Sequence, residues 1–266
     1  MSTTHSFHHP KPTQQDNIKV SVLRPFYWLK SGWQDLNYHP IASLGYGLIV
    51  TSLMLITFLV TSTHVYVFAA AICVFMFIGP ILAAGLCELS WRHEAHEHLD
   101  FDHSLTRLRE VQDTIYRFAG VLLGFSLLWF GLSALILSLS IGSVAPSIEL
   151  SIWGDFFELV TMQQIVLYLL IGGLLLITAF SVSVISIPAI IEMDLSVKEA
   201  MLLSLKVFKA NLPTMAVWGS LLVLLFIIGL STYLIAMIVL FPLLGHATWY
   251  AYRDLVKDEP EYDCYE

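Results

Sequence analysis

From Pro40 onward, long apolar runs alternate with shorter segments that collect nearly all of the charge. The runs reach about twenty residues or more, the length that crosses roughly 30 Å of hydrocarbon at about 1.5 Å per residue. They predict an all-α polytopic membrane bundle with six spans, at about residues 41–60, 65–87, 118–139, 165–191, 213–230 and 232–250. The last two come from one stretch, Pro213 to Tyr252, that carries no aspartate, glutamate, lysine or arginine and is twice too long for one crossing, so a break is expected near Gly229 to Thr232. Pro80, Pro188 and Pro242 lie inside the second, fourth and sixth spans. Each removes a backbone donor and kinks its helix, which a bilayer tolerates where neighbouring helices or small residues such as Ala83, Ala84 and Gly85 compensate.

The polar segments have patterns of their own. Residues 18–37 mix Phe26, Tyr27, Trp28 and Trp33 with Arg24, Lys30 and Asp35, as in an interfacial belt. Ser196 and Glu199 have the spacing of a capping box, so a helix is expected from Ser196. Along it Lys198, Glu199, Lys206 and Lys209 share one arc, while Val197, Ala200, Met201, Leu203, Val207 and Phe208 share the other. Only Leu202 intrudes on the polar arc. Two placements fit this pattern: flat in the membrane interface with lysines at the headgroups, or packed on the bundle from the cytoplasm. Residues 1–17, with His5, His8 and His9, read as a disordered cytoplasmic leader, residues 140–164 as an outer loop, and residues 258–266 as an acidic tail.

A mean hydropathy of +0.74 with 13% charged residues does not suit a soluble surface. The net charge of −8, with no arginine-rich run, sets nucleic-acid binding aside. Cys73, Cys87 and Cys264 make no disulfide framework and are expected as free thiols. All thirteen lysines and arginines fall before the first span, between spans two and three, between spans four and five, or after the sixth. The positive-inside rule therefore puts both termini in the cytoplasm. The order of amphipathic segment, plain span and proline-bearing span occurs three times, which suggests three parallel repeats about an axis along the membrane normal. Constraints common to helical hairpins would give the same pattern without duplication.

Candidate chemistry is sparse. His246, four residues past Pro242, is the deepest ionisable group and a functional candidate by that fact, although a neutral imidazole bonded to a carbonyl freed by the kink is a sufficient structural role. Glu88, Glu192 and Asp194 mark span exits, where they line a vestibule or pair with Arg92, Lys198 and Arg253. His93, His96 and His103 recur on one helical face with Glu97 and Asp100, a set that weakly suggests a divalent metal, yet HExxH is missed because Glu97 stands where the second histidine belongs. Gly45-Tyr46-Gly47 sits at the start of a span without a pore helix and does not make a potassium filter. Nucleotide-binding and hydrolase motifs are missing, so neither a cofactor nor an enzyme activity is expected.

Four segments resemble a bacterial family of predicted six-helix integral membrane proteins known only as a domain of unknown function. They are Gly32-Trp33-Gln34-Asp35 with Tyr46-Gly47, GPILAAGLCELSWR from Gly79 to Arg92, Ile187-Pro188 through Asp194, and LLGHATWYAYRDLV from Leu243 to Val256. Cys87 stands where that family tends to have tyrosine, and the histidines after Arg92 are not a feature of it. The resemblance implies a multi-pass protein of the bacterial inner membrane and carries no activity. The partners expected are the lipid bilayer and other membrane subunits or a second copy. The reading that follows is a non-enzymatic accessory, assembly or lipid-interacting component. The alternatives are a small transporter or channel with a path near His246, and a metal-dependent membrane enzyme.

Overall fold

The computed structural model describes residues 19–61, 65–94, 106–141 and 161–256. Among these residues the only regular structure is helical: α1 Arg24–Tyr38, α2 Pro40–Thr61, α3 Val65–Glu94, α4 Thr106–Ile141, α5 Met162–Ser183, α6 Ser186–Met193, α7 Val197–Ala210, α8 Leu212–Ser231 and α9 Met237–Val256. The expected leader, outer loop and acidic tail fall outside the described residues, apart from Ser140, Ile141 and the first residues of the α5 segment.

Among the described residues four stretches are long and apolar enough to cross a membrane: Pro40–Leu59, Arg109–Ser133, Met162–Met193 and Leu212–Ser231. Their apolar side chains face outward. In the most apolar part of Met162–Met193 only 11% of residues are buried, the pattern of a surface solvated by something other than water.

Where the helices break differs from expectation, for local reasons. The amphipathic run after Thr106 and the third apolar run form one helix, α4, because Val111, Ile115, Phe118 and Ala119 continue a single buried stripe across the join. The fourth run breaks at Val184–Ile185, between α5 and α6, rather than at Pro188 itself. Val184 is four residues before Pro188, and its carbonyl is the one the proline ring displaces. Gly229, expected as part of the last break, lies within α8, where the Met237 side chain packs so closely that a Cβ would come 2.5 Å from its sulfur. The turn falls at Thr232–Ala236 instead, closed by bonds from Tyr233 N–H to Leu230 O and from Leu234 N–H to Gly229 O. That is a Schellman-type cap with Tyr233, at φ 52°, in the position glycine usually takes.

α7 starts as expected: the Ser196 hydroxyl accepts from Glu199 N–H, and the Glu199 carboxylate accepts from Ser196 N–H. It lies on the bundle with Ala200, Ser204 and Val207 buried, and the Ser204 hydroxyl donates to the Ser181 carbonyl of α5. Helix packing follows one rule around the molecule. α1 packs on α9, α4 on α3, and α7 on α5 and α6, so each amphipathic segment lies on a proline-bearing helix, α4 and α7 on the one just before them and α1 on the last in the chain. The proline-bearing α3, α6 and α9 touch one another in the middle. The core there holds Trp28, Leu86, Ile190, Ile191, Trp218, Trp249 and Tyr252.

Candidate functional site

The ends of α1, α3, α6 and α9 and the start of α2 gather at one pole, and the polar side chains meet there. Close backbone approach makes this possible. Gly32 of α1 lies against α9, where a Cβ would stand 2.8 Å from Ala247 N and 2.9 Å from the Leu243 carbonyl. In α9, Pro242 leaves the Ile238 carbonyl without its helical donor. That carbonyl lies against the Cα of Gly47, in the space a Cβ would take. The freed acceptor is therefore met by an α2 backbone that only glycine allows so near, in the manner of a Cα–H contact. The neighbouring Tyr46 seats its hydroxyl on Gly85 of α3. These contacts give Tyr46 and Gly47 a packing role.

Within this frame His246 is fully buried and both ring nitrogens are engaged, Nε2 with Ser43 Oγ at 2.9 Å and Nδ1 with Ser90 Oγ at 2.7 Å. One hydroxyl donates and the other accepts, so the neutral ring is satisfied in place. The partner predicted for His246, a carbonyl freed by the kink, is not the one it takes. The carbonyl goes to Gly47, and two serines on other helices hold the ring.

Beside it Asp35 is 1% exposed. Its Oδ1 accepts from His93 Nδ1–H at 2.6 Å and from the Tyr250 hydroxyl at 2.8 Å. Its Oδ2 has no hydrogen-bond partner among the described residues and lies 3.9 Å from His246 Nδ1. The Tyr38 ring stacks on His93 at 4.0 Å and meets His39 edge-on. His39 Nε2 is also buried without a partner among the described residues. Burial, then the nearby His93, holds His39 below the ordinary imidazole value, with Asp35 opposing.

A second cluster ties the proline-bearing helices together. Arg253 of α9 reaches Glu94 of α3 at 2.8 Å and Glu192 of α6 at 3.5 Å, and Trp249 Nε1–H donates to Glu94. Farther along α9, Asp254 accepts a two-pronged bond from Arg24 and another from Trp28 Nε1–H at 2.5 Å, clamping α1.

The predicted residues thus separate. Glu88 pairs with Arg92 one turn on, both buried, and Glu192 pairs with Arg253. Asp194 is exposed and caps α6 in the left-handed conformation, φ 52°. Pro188 and Pro242 are buried, and Pro80 lies within α3 with its side chain outside the description. His93 belongs to the Asp35 centre, while His96 and His103 fall outside the described residues, and no group of three metal-ligating side chains forms among those that are described. Cys87 is a free, buried thiol. Ser43, Ser90, His39 and Tyr250 had no sequence signal beyond being polar at a span boundary. Asp35 had a little more, as the only acid between Ile18 and Pro40.

Three of the four segments that carry the family resemblance supply this pole directly, and the fourth, through Glu192, joins it at Arg253. No curated protein and no solved structure matches the chain. Residues 66–192 match the family model described as a predicted integral membrane protein (DUF2189), and with its apolar helices turned outward the chain is a membrane-integral protein.

Proposed function

We propose that this is a six-span protein of the bacterial inner membrane, with the charged pole and both termini in the cytoplasm, serving as a non-enzymatic accessory or assembly component in contact with lipid. The observation that carries this reading is the internal satisfaction of His246. Both its nitrogens are spent on Ser43 and Ser90, so the deepest ionisable group acts as a pin between α2, α3 and α9. The glycine contact of Gly47 with Ile238 closes the space along α2 beyond it.

α3, at 30 residues, and α9, at 20, supply the second and sixth spans beside the four apolar stretches. The cyclic packing of amphipathic segments on proline-bearing helices supports three parallel repeats. The experiment is native mass spectrometry of protein gently extracted from its own membrane. Recovery with other membrane subunits or with retained phospholipid is the expected result. A lone protomer carrying one small polar molecule would overturn it.

One observation favours a transporter as a second reading. Asp35 Oδ2 is buried and unpartnered among the described residues, as a proton-binding carboxylate would be. Proton flux in liposomes that is lost in both Asp35→Asn and His246→Ala would select that reading. Flux at the level of empty liposomes would remove it.

A further inference from the structure

Leu202, the residue that breaks the polar arc of α7, has a place in the structure. Its side chain is 55% exposed, and with Val182, Val197, Lys198, Met201 and Leu205 it lines an open groove between α5 and α7. At about 100° per residue Lys198, Leu202, Leu205 and Lys209 form one stripe, opposite the buried Ala200, Ser204 and Val207. A helix merely packed on a soluble surface would carry polar residues along that stripe. Here two leucines lie between two lysines.

Val182 is the residue of α5 that lines the groove, and Leu174 and Thr178, on the same stripe of α5, are exposed. The groove lining is therefore apolar except for the Lys198 ammonium at the start of α7. A ligand that matches both has a long apolar tail and a single anionic end. We propose that the groove holds one anionic phospholipid, with an acyl chain against Val182, Met201, Leu202 and Leu205 and its phosphate on the Lys198 ammonium. Lys209, three turns along the same stripe, extends the contact with the headgroup layer. This site rests on the reading of the chain as a membrane bundle with α7 at the cytoplasmic face.

The test uses the full-length protein in nanodiscs containing equal parts phosphatidylglycerol and phosphatidylcholine, with retained lipids counted by native mass spectrometry. Wild type is expected to keep one phosphatidylglycerol in preference to phosphatidylcholine. Lys198→Gln is expected to weaken that preference about fivefold, the share of one lysine near a headgroup. Leu202→Asn, which wets the groove without touching the charge, is expected to shorten retention of both lipids, whereas Lys30→Gln on α1 leaves it unchanged. Equal retention of the two lipids by wild type, an unchanged preference in Lys198→Gln, or a second copy or another protein occupying the groove would overturn the site. Carbonate extraction of the cell membranes that hold the protein separates this from the reading beneath it. A protein that stays in the membrane without the preference refutes only the lipid site, and one that carbonate releases refutes the membrane bundle itself.

Discussion

Gly45 and Gly47 are two residues apart on α2 and have opposite surroundings. A Cβ at Gly45 meets nothing within 4 Å, whereas at Gly47 it overlaps the Ile238 carbonyl and backbone. Gly47→Ala is therefore expected to separate α2 from α9 and lower stability by about 2–3 kcal/mol. Gly45→Ala, inside a helix with open space, is expected to be neutral or stabilising by up to about 1 kcal/mol. Thermal unfolding in detergent compares the pair, and equal melting temperatures would refute the account. His39 gives a pH prediction. Burial and His93 favour its neutral form, so its stabilising contribution is full above about pH 6.5 and is lost as the pH falls through the lowered folded-state value. The melting temperature of wild type should accordingly drop more steeply on the acid side than that of His39→Gln. Parallel curves would show that His39 is not responsible.

Among the elements, α1 is held by a clamp that no local pattern announces. Arg24 and Trp28 share Asp254, which lies some 230 residues away and is 8% exposed. Asp254→Ala removes the acceptor of both, and a loss of about 2 kcal/mol is expected, with the Arg24 side chain 30% exposed and so contributing the smaller part. Limited proteolysis should then cut first near α1, and an unchanged cleavage pattern would count against the clamp. The helices themselves were legible in the sequence wherever the signal was local: the capping box at Ser196, the apolar run of α2, the amphipathic stripe of α7. Thr161 and Gln164 form a second capping box of the same kind at the start of α5, and that signal was present in the sequence and passed over. The Asp35 centre was not legible, since its members come from α1, α2, α3 and α9, and periodicity within one helix says nothing about which helices will meet.

For the whole molecule, orientation rests on charge. Lysines and arginines are confined to residues 11–30, 92–117, 198–209 and 253–257, and the turn at Thr232–Ala236 has none. In intact cells a single cysteine at Thr232 should react with a membrane-impermeant maleimide, and one at Lys206 should not. Reaction at both, or the reverse pattern, would exclude the six-span orientation. The apolar sides of α2, α5 and α8 were readable as lipid-facing from hydropathy alone. Which proline-bearing helix each amphipathic segment lies on was not readable, because contacts such as Gly32 against Ala247 and Ser204 on the Ser181 carbonyl depend on which helices meet and not on the pattern within one.

The seat of the Ile238 carbonyl on Gly47 also constrains how the molecule can move. It works as a detent: turning α9 about its own axis, or sliding it by one residue, drives the carbonyl out of the only notch α2 offers. With Gly32 and Gly85 making similar seats for α9 and Tyr46, helices α1, α2, α3 and α9 are keyed to one another. Any rocking of the bundle must then break what joins these four helices to α6–α8, where Arg253 reaches Glu192, Trp28 meets Trp218 edge-on and Val20 N–H donates to Asn211 Oδ1.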